Sequence, residues 1–210
     1  MTSVVTATTS ASPEVLIGGE AGHAARTEQP LTALLAHRWS PRSFSPEHEV
    51  DEDKLVALLE AARWAPSSRN GQARRFMVGR RGGRLFARIS STLSGHNAAW
   101  APQAALLLVG IVVRSDERGR DEPFAEYDLG QAVAHLGVQA ESLGLRMRQI
   151  GGFDREALMQ ALGLDEPLEP FIVAAVGRQA QAGLLSAELA DREAAPRTRL
   201  PLAELILACD

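Results

Sequence analysis

In the segment HRWSPR, Arg38, Ser40 and Arg42 alternate along what should be extended backbone. An arginine offers a planar fork of donors to phosphate oxygens, and a serine two residues on adds a short donor from the same side. Arg197 and Arg199 in PRTRLP repeat that geometry near the other end of the chain. The two clusters could jointly neutralise a phosphate monoester. Taken singly, each reads first as a solvated loop carrying the cations that helix ends favour. A second kind of chemistry stands in WAPSSRNGQARRF, where Ser67, Ser68, Asn70 and Gln72 crowd short hydrogen-bonding groups behind Pro66. Such a turn is either a linker or a surface for a flat ligand with polar edges. A third sits in RQIGGFD, where Gly151 and Gly152 follow a strand and leave backbone N–H groups open to a ligand, or simply make a turn. Asn97 could bond the edge of a heterocycle or cap a helix. Phe124 and Trp100 could stack on a ring or fill a core.

What is missing narrows the chemistry. The 5 histidines pair with no other His or Cys at ligand spacing, so a metal role is not expected. No G-x-S-x-G elbow, P-loop or G-x-G-x-x-G occurs. The single cysteine, Cys209, lies beside the C-terminus, which leaves no disulfide framework and fits a reducing cytoplasm. A formal charge of −4, with no cations gathered among aromatics, gives no reason to expect a nucleic-acid partner.

These residues need elements to hold them. A chain of 210 residues that is 45% hydrophobic can form one sizeable core. Residues 1–30, rich in Thr, Ala, Ser and Gly, read as a disordered leader without a secretory signal, and residues 31–210 as one domain. From Leu31 a short helix leads into the RWSPR loop. Asp51 caps a helix with Leu55, Leu58, Leu59 and Ala62 at helical spacing, and Pro66 stops it. RFMVGR reads as a strand, and GRLFARISSTL as a helix opened by Gly-Gly. AALLLVGIVV is apolar throughout, as a strand buried on both faces should be, and no run is long enough to span a membrane. The longest helix is expected from Phe124 to Leu143, with a left-handed cap at Gly144. LRMRQI and PFIVAAVG are strands around a helix capped by Asp154. A polar segment then leads to a basic turn and an apolar tail that should pack on something, such as a second subunit. The irregular interleaving predicts an α+β domain, a mixed sheet flanked by helices.

In their order along the chain these segments resemble the FMN-dependent nitroreductase family. The matching pieces are RWSPRSF, APSSRNGQ, GHNAAWAPQAALLLVG, YDLGQAVAHLGVQAESLGL, IGGFD and RTRLP, which together span nearly everything from Leu31 to Ile206. The resemblance implies an intertwined homodimer with FMN in two interfacial sites. Arg38, Ser40, Arg197 and Arg199 would hold the FMN phosphate. Arg42 and Asn97 would reach the ribityl chain or pyrimidine edge. Ser67, Ser68 and Asn70 would line the neighbouring subunit's flavin. Gly151 and Gly152 would present N–H groups near N5, with Ile150 on the ring face. Trp39 and Pro66 lie inside the matched segments and join this candidate set. Phe124 would cover the substrate.

The implied reaction is ping-pong: NAD(P)H reduces the flavin at N5, and a nitroaromatic, quinone or related small electrophile then takes its place. No protein nucleophile is then required. One departure stands out, because many relatives continue the Gln with Pro-Trp whereas Gln72 is followed by Ala73 and Arg74. This is either drift within a subfamily or a cation for an anionic substrate or the NADPH 2′-phosphate. Two other readings remain: the same FMN fold used for a different redox reaction (ene or semialdehyde reduction, azoline-type dehydrogenation), or a flavin-binding dimer without turnover.

Overall fold

The computed structural model describes residues 23–27 and 29–209. At its centre is β2 (Leu106–Val113), buried along almost its whole length. Beside it run β1 (Arg74–Arg80), β4 (Leu168–Gly177) and, at the far edge, β3 (Arg146–Ile150), giving the order β1-β2-β4-β3. The α+β class is as expected. The sheet, expected as mixed, is antiparallel in all three of its pairings among the described residues.

Alternation along the strands divides the core in two. Leu106, Leu108, Val112, Ala174 and Val176 face one cluster, with α2 (Glu52–Arg63) and α5 (Ala125–Ser142). Leu107, Val109, Ile111, Val173 and Ala175 face the other, with α3 (Arg84–Ser90), α4 (Asn97–Trp100) and α6 (Arg155–Leu162). A continuous apolar strand is what such two-sided burial requires. Gly110 lets α5 lie close, since a Cβ there would stand 2.8 Å from Ile172 and 3.2 Å from Leu129.

The punctuation residues act as expected. Asp51 accepts from Lys54 N at 2.8 Å, and Asp154 accepts from Ala157 N at 2.9 Å. Gly144 takes φ +69 behind α5. One helix was not foreseen: α7 (Ala187–Ala194) lies in the segment read only as polar. Its buried face is just Leu189 and Glu193, too little apolar periodicity to register.

Residues 1–22 of the expected leader lie outside the described residues. His23 to Thr27 run alongside α1 (Ala33–His37), and Ala25 N donates to Ala36 O at 2.8 Å. At the other end the apolar tail forms only one helical turn, α8 (Leu202–Leu205), and leaves Leu200, Leu202, Leu205 and Leu207 exposed. No helix among the described residues is long and apolar enough to cross a membrane.

Candidate functional site

The two arginine clusters meet. Arg38 closes α1, Arg42 follows in the same loop, and Arg197 and Arg199 arrive after α7. Together with Arg148 from β3 and Arg192 from α7 they surround a cavity of about 240 Å³. Ser40 lines it too, and Arg38 Nη1 lies 3.4 Å from its hydroxyl. The one carboxylate in the wall is Glu193, and it is already engaged: its oxygens accept from Arg42 N at 2.5 Å and Ser43 N at 3.1 Å. Its role is to brace the Arg42 loop.

Packing these cations together is electrostatically costly. Burial, then the charge of Arg199, holds Arg38 below the usual arginine range. Burial, then Arg38 and Arg199, does the same to Arg197, and burial followed by Arg42 lowers Arg148. A guanidinium nevertheless keeps its proton at any workable pH, so the wall stays positive. Behind it, Arg146 and Glu141 form a fully buried ion pair, and the Glu141 charge favours the cationic forms of Arg38 and Arg197. A concave wall of this charge is complementary to a multiply charged anion.

Arg148 and Arg192 were absent from the sequence reading. Arg148 did leave a signal, a cation two residues before Ile150 and therefore on the same face of a short strand. Its guanidinium lies over the Trp100 ring at 5.6 Å and donates to Ser40 O.

From Arg148, three residues along the strand lead to Gly151, roughly 10 Å away. One extended ligand can therefore touch both the cavity and the Gly-Gly turn. Ser94 N donates to Gly152 O at 3.1 Å, and Asn97 Nδ2 donates to the same carbonyl at 3.3 Å. A Cβ on Gly152 would lie 2.7 Å from that amide nitrogen, while Gly151 faces open space. Asn97 is the first residue of α4 rather than its cap. One expectation needs correction. Ile150 is buried in the second core cluster rather than turned toward a ring, because it shares the inward face of β3; Trp100 fills the core, one of the two roles open to it. At this turn it is the glycine backbone that is open.

The Ser67–Gln72 loop is elsewhere. Ile150, Val173, Val109 and Met77 stand in register across the four strands. β1 is therefore three strand spacings from β3, about 14 Å, and the loop enters the sheet at β1. Pro66 and Asn70 are exposed there, Ser67 and Ser68 half-buried. Arg69, Asn70 and Gln72 all take positive φ, at 51, 55 and 51. For non-glycine residues this costs roughly 1–3 kcal/mol each and persists only where the surroundings impose it. The restraint comes from α5: buried Asp128 accepts from Ser68 N with both oxygens, at 3.1 and 3.0 Å. Within the loop, Ser67 Oγ accepts from Gln72 N at 3.2 Å. Asp128→Ala should therefore lower stability by about 1–3 kcal/mol in urea unfolding, with Asp128→Asn, which keeps an acceptor, losing less. Phe124 stands one turn before Asp128 and is exposed, as is Tyr127.

Arg74 does not stand at a ligand mouth. It is 7% exposed, and its Nη2 donates to Arg63 O at 3.2 Å and Ala65 O at 2.6 Å. It caps the carbonyl end of α2, a favoured place for a cation. Ala73 is buried beside it. Among the described residues, no group of three or more His, Cys, Asp or Glu could hold a metal ion.

Fold and site thus define a class: an antiparallel α+β domain with a polycationic pocket and a glycine turn at one sheet edge, and a strained polar loop at the other. The nitroreductase family model matches residues 35–112 and 91–178, and the chain belongs to that family. A protein of Mycolicibacterium smegmatis, known as the uncharacterized 15.4 kDa protein in the ask 5′ region, is 36% identical over 141 residues, 62% of this chain and 92% of its own. Among solved structures, an oxidoreductase containing FMN superposes with a TM-score of 0.81 at 28% identity, over 87% of this chain and 93% of that one. A putative nitroreductase in complex with FMN from Desulfovibrio desulfuricans does so with a TM-score of 0.67 at 25% identity, over 88% and 99%.

Proposed function

We propose that the chain is an FMN-dependent oxidoreductase whose arginine cavity holds the FMN phosphate. The observation that carries this reading is the excess of clustered, partly buried cations over carboxylates in that cavity. Arg38, Arg197 and Arg199 repel one another until a dianion lies between them. The Ser40 hydroxyl adds a short donor, so the residues fit a terminal phosphate. Arg42 lines this cavity and Asn97 meets the Gly151–Gly152 turn, whose open backbone suits the ring edge. FMN, when bound, supplies the hydride chemistry, accepting from NAD(P)H and delivering to a nitroaromatic, quinone or related electrophile. The chain's own part is to bind, orient and exclude water.

The reading includes a homodimer. The Ser67–Asn70 loop enters the sheet at β1, at the opposite edge from β3 and its arginine cavity, which favours a site completed by a second copy. The exposed Leu200, Leu202, Leu205 and Leu207 supply apolar surface for that association. A cytoplasmic location goes with the chain's single cysteine, Cys209.

The test is twofold. Purified protein should be yellow, or become so with FMN, and should oxidise NADH or NADPH when given a nitroarene and a quinone. A colourless chain that cannot be reconstituted contradicts the proposal. Flavin without such turnover favours a different redox reaction or a non-catalytic flavin-binding dimer. Because Arg74 is spent on α2, Arg74→Met should cost about 1 kcal/mol in stability and leave the NADH-to-NADPH ratio of kcat/KM unaltered. A shifted ratio would restore its substrate role.

A further inference from the structure

The chain before α1 also belongs to the arginine cavity. His23 lines it, and its ring lies flat on Trp39, with centroids 3.7 Å apart and planes 9° from parallel. His23 O accepts from Arg197 Nη1 at 2.6 Å, and the same nitrogen donates to Ala36 O at 3.1 Å. The hydrogen bond from Ala25 N to Ala36 O pins the segment to α1. Arg197 is thus aimed by two carbonyls, one from α1 and one from the segment ahead of it. Meanwhile His23 Nδ1 is buried and has no hydrogen-bond partner in the protein.

We propose that His23–Thr27 is a strap closing the anion pocket, in which the His23 carbonyl orients Arg197 and the imidazole meets the ligand's phosphate. The inference rests on the FMN reading and deepens it: the strap makes the site discriminate a phosphorylated flavin from one without phosphate. It follows from position, because His23 shares a cavity with Arg38, Arg197 and Arg199 and touches Trp39 in the matched RWSPR segment. Stacking on Trp39, which is 8% exposed, fixes the ring without using its nitrogens.

The experiment titrates the full chain and two variants with FMN and with riboflavin, following flavin fluorescence. His23→Ala should raise the Kd for FMN about ten-fold, the scale of one hydrogen bond to a charged group, and leave riboflavin within a factor of about two. His23→Phe keeps the stack and the carbonyl but not the nitrogens, so it should lose about three-fold for FMN only. Wild-type affinity for FMN in both variants overturns the strap, and so does equal weakening toward both flavins, which marks a folding effect. If the wild-type chain takes up neither flavin, the FMN reading fails and the strap with it. That outcome is read from the wild-type titration alone.

Discussion

Arg38→Met should weaken FMN binding roughly a hundred-fold, about 2.7 kcal/mol, while leaving the melting temperature of the flavin-free protein unchanged or slightly higher. Both halves follow from one observation. Without an anion, Arg38 is held in a part-buried place against Arg199, with only a long contact to Ser40 for a hydrogen bond. Methionine keeps much of the apolar stem and removes the charge, so the flavin-free state loses a repulsion. With FMN bound, the same charge is what the phosphate needs. Riboflavin, lacking the phosphate, should bind the variant as well as it binds wild type. Equal loss of both ligands, or a markedly lower melting temperature, would mean that Arg38 is structural.

The largest stability effect is expected behind the pocket. Glu141→Leu should cost about 3–5 kcal/mol, because it removes the carboxylate that neutralises Arg146 in a site where both partners are almost wholly buried. The double variant Glu141→Leu with Arg146→Met should recover most of the loss, since a well-packed apolar pair is often as stable as a buried ion pair. Urea unfolding of the two variants checks this. A double variant as unstable as the single one would show that Arg146 is needed for its other bonds, such as that to Gln179 at 3.3 Å.

Much of the architecture was legible in the sequence because local rules and tertiary structure agree. The Asp51 and Asp154 caps, the Gly144 stop and the run of β2 each serve one element and leave a local mark. Helix α7 left none, since only Leu189 and Glu193 face inward. The phosphate candidates Arg38, Ser40, Arg197 and Arg199 were legible by type and by resemblance, but their meeting was not. It depends on α7 returning the chain to α1, and on β3 supplying Arg148 between them. Arg74 was left between two readings for a related reason. A cation in a polar segment can read as exposed until the open end of α2 is seen to need it. Asp128 gave no warning that it would restrain the Ser67–Gln72 loop, because the two are joined only through α5 packing.

A crystal structure with FMN bound tests the central claim most directly. The account predicts the phosphate within hydrogen-bonding distance of Arg38 and Arg197 or Arg199, the ring edge at Gly151–Gly152, and the Ser67–Asn70 loop of a second copy against the same flavin. A flavin whose phosphate lies outside the arginine cavity, or a site completed by the loop of its own chain, would contradict it.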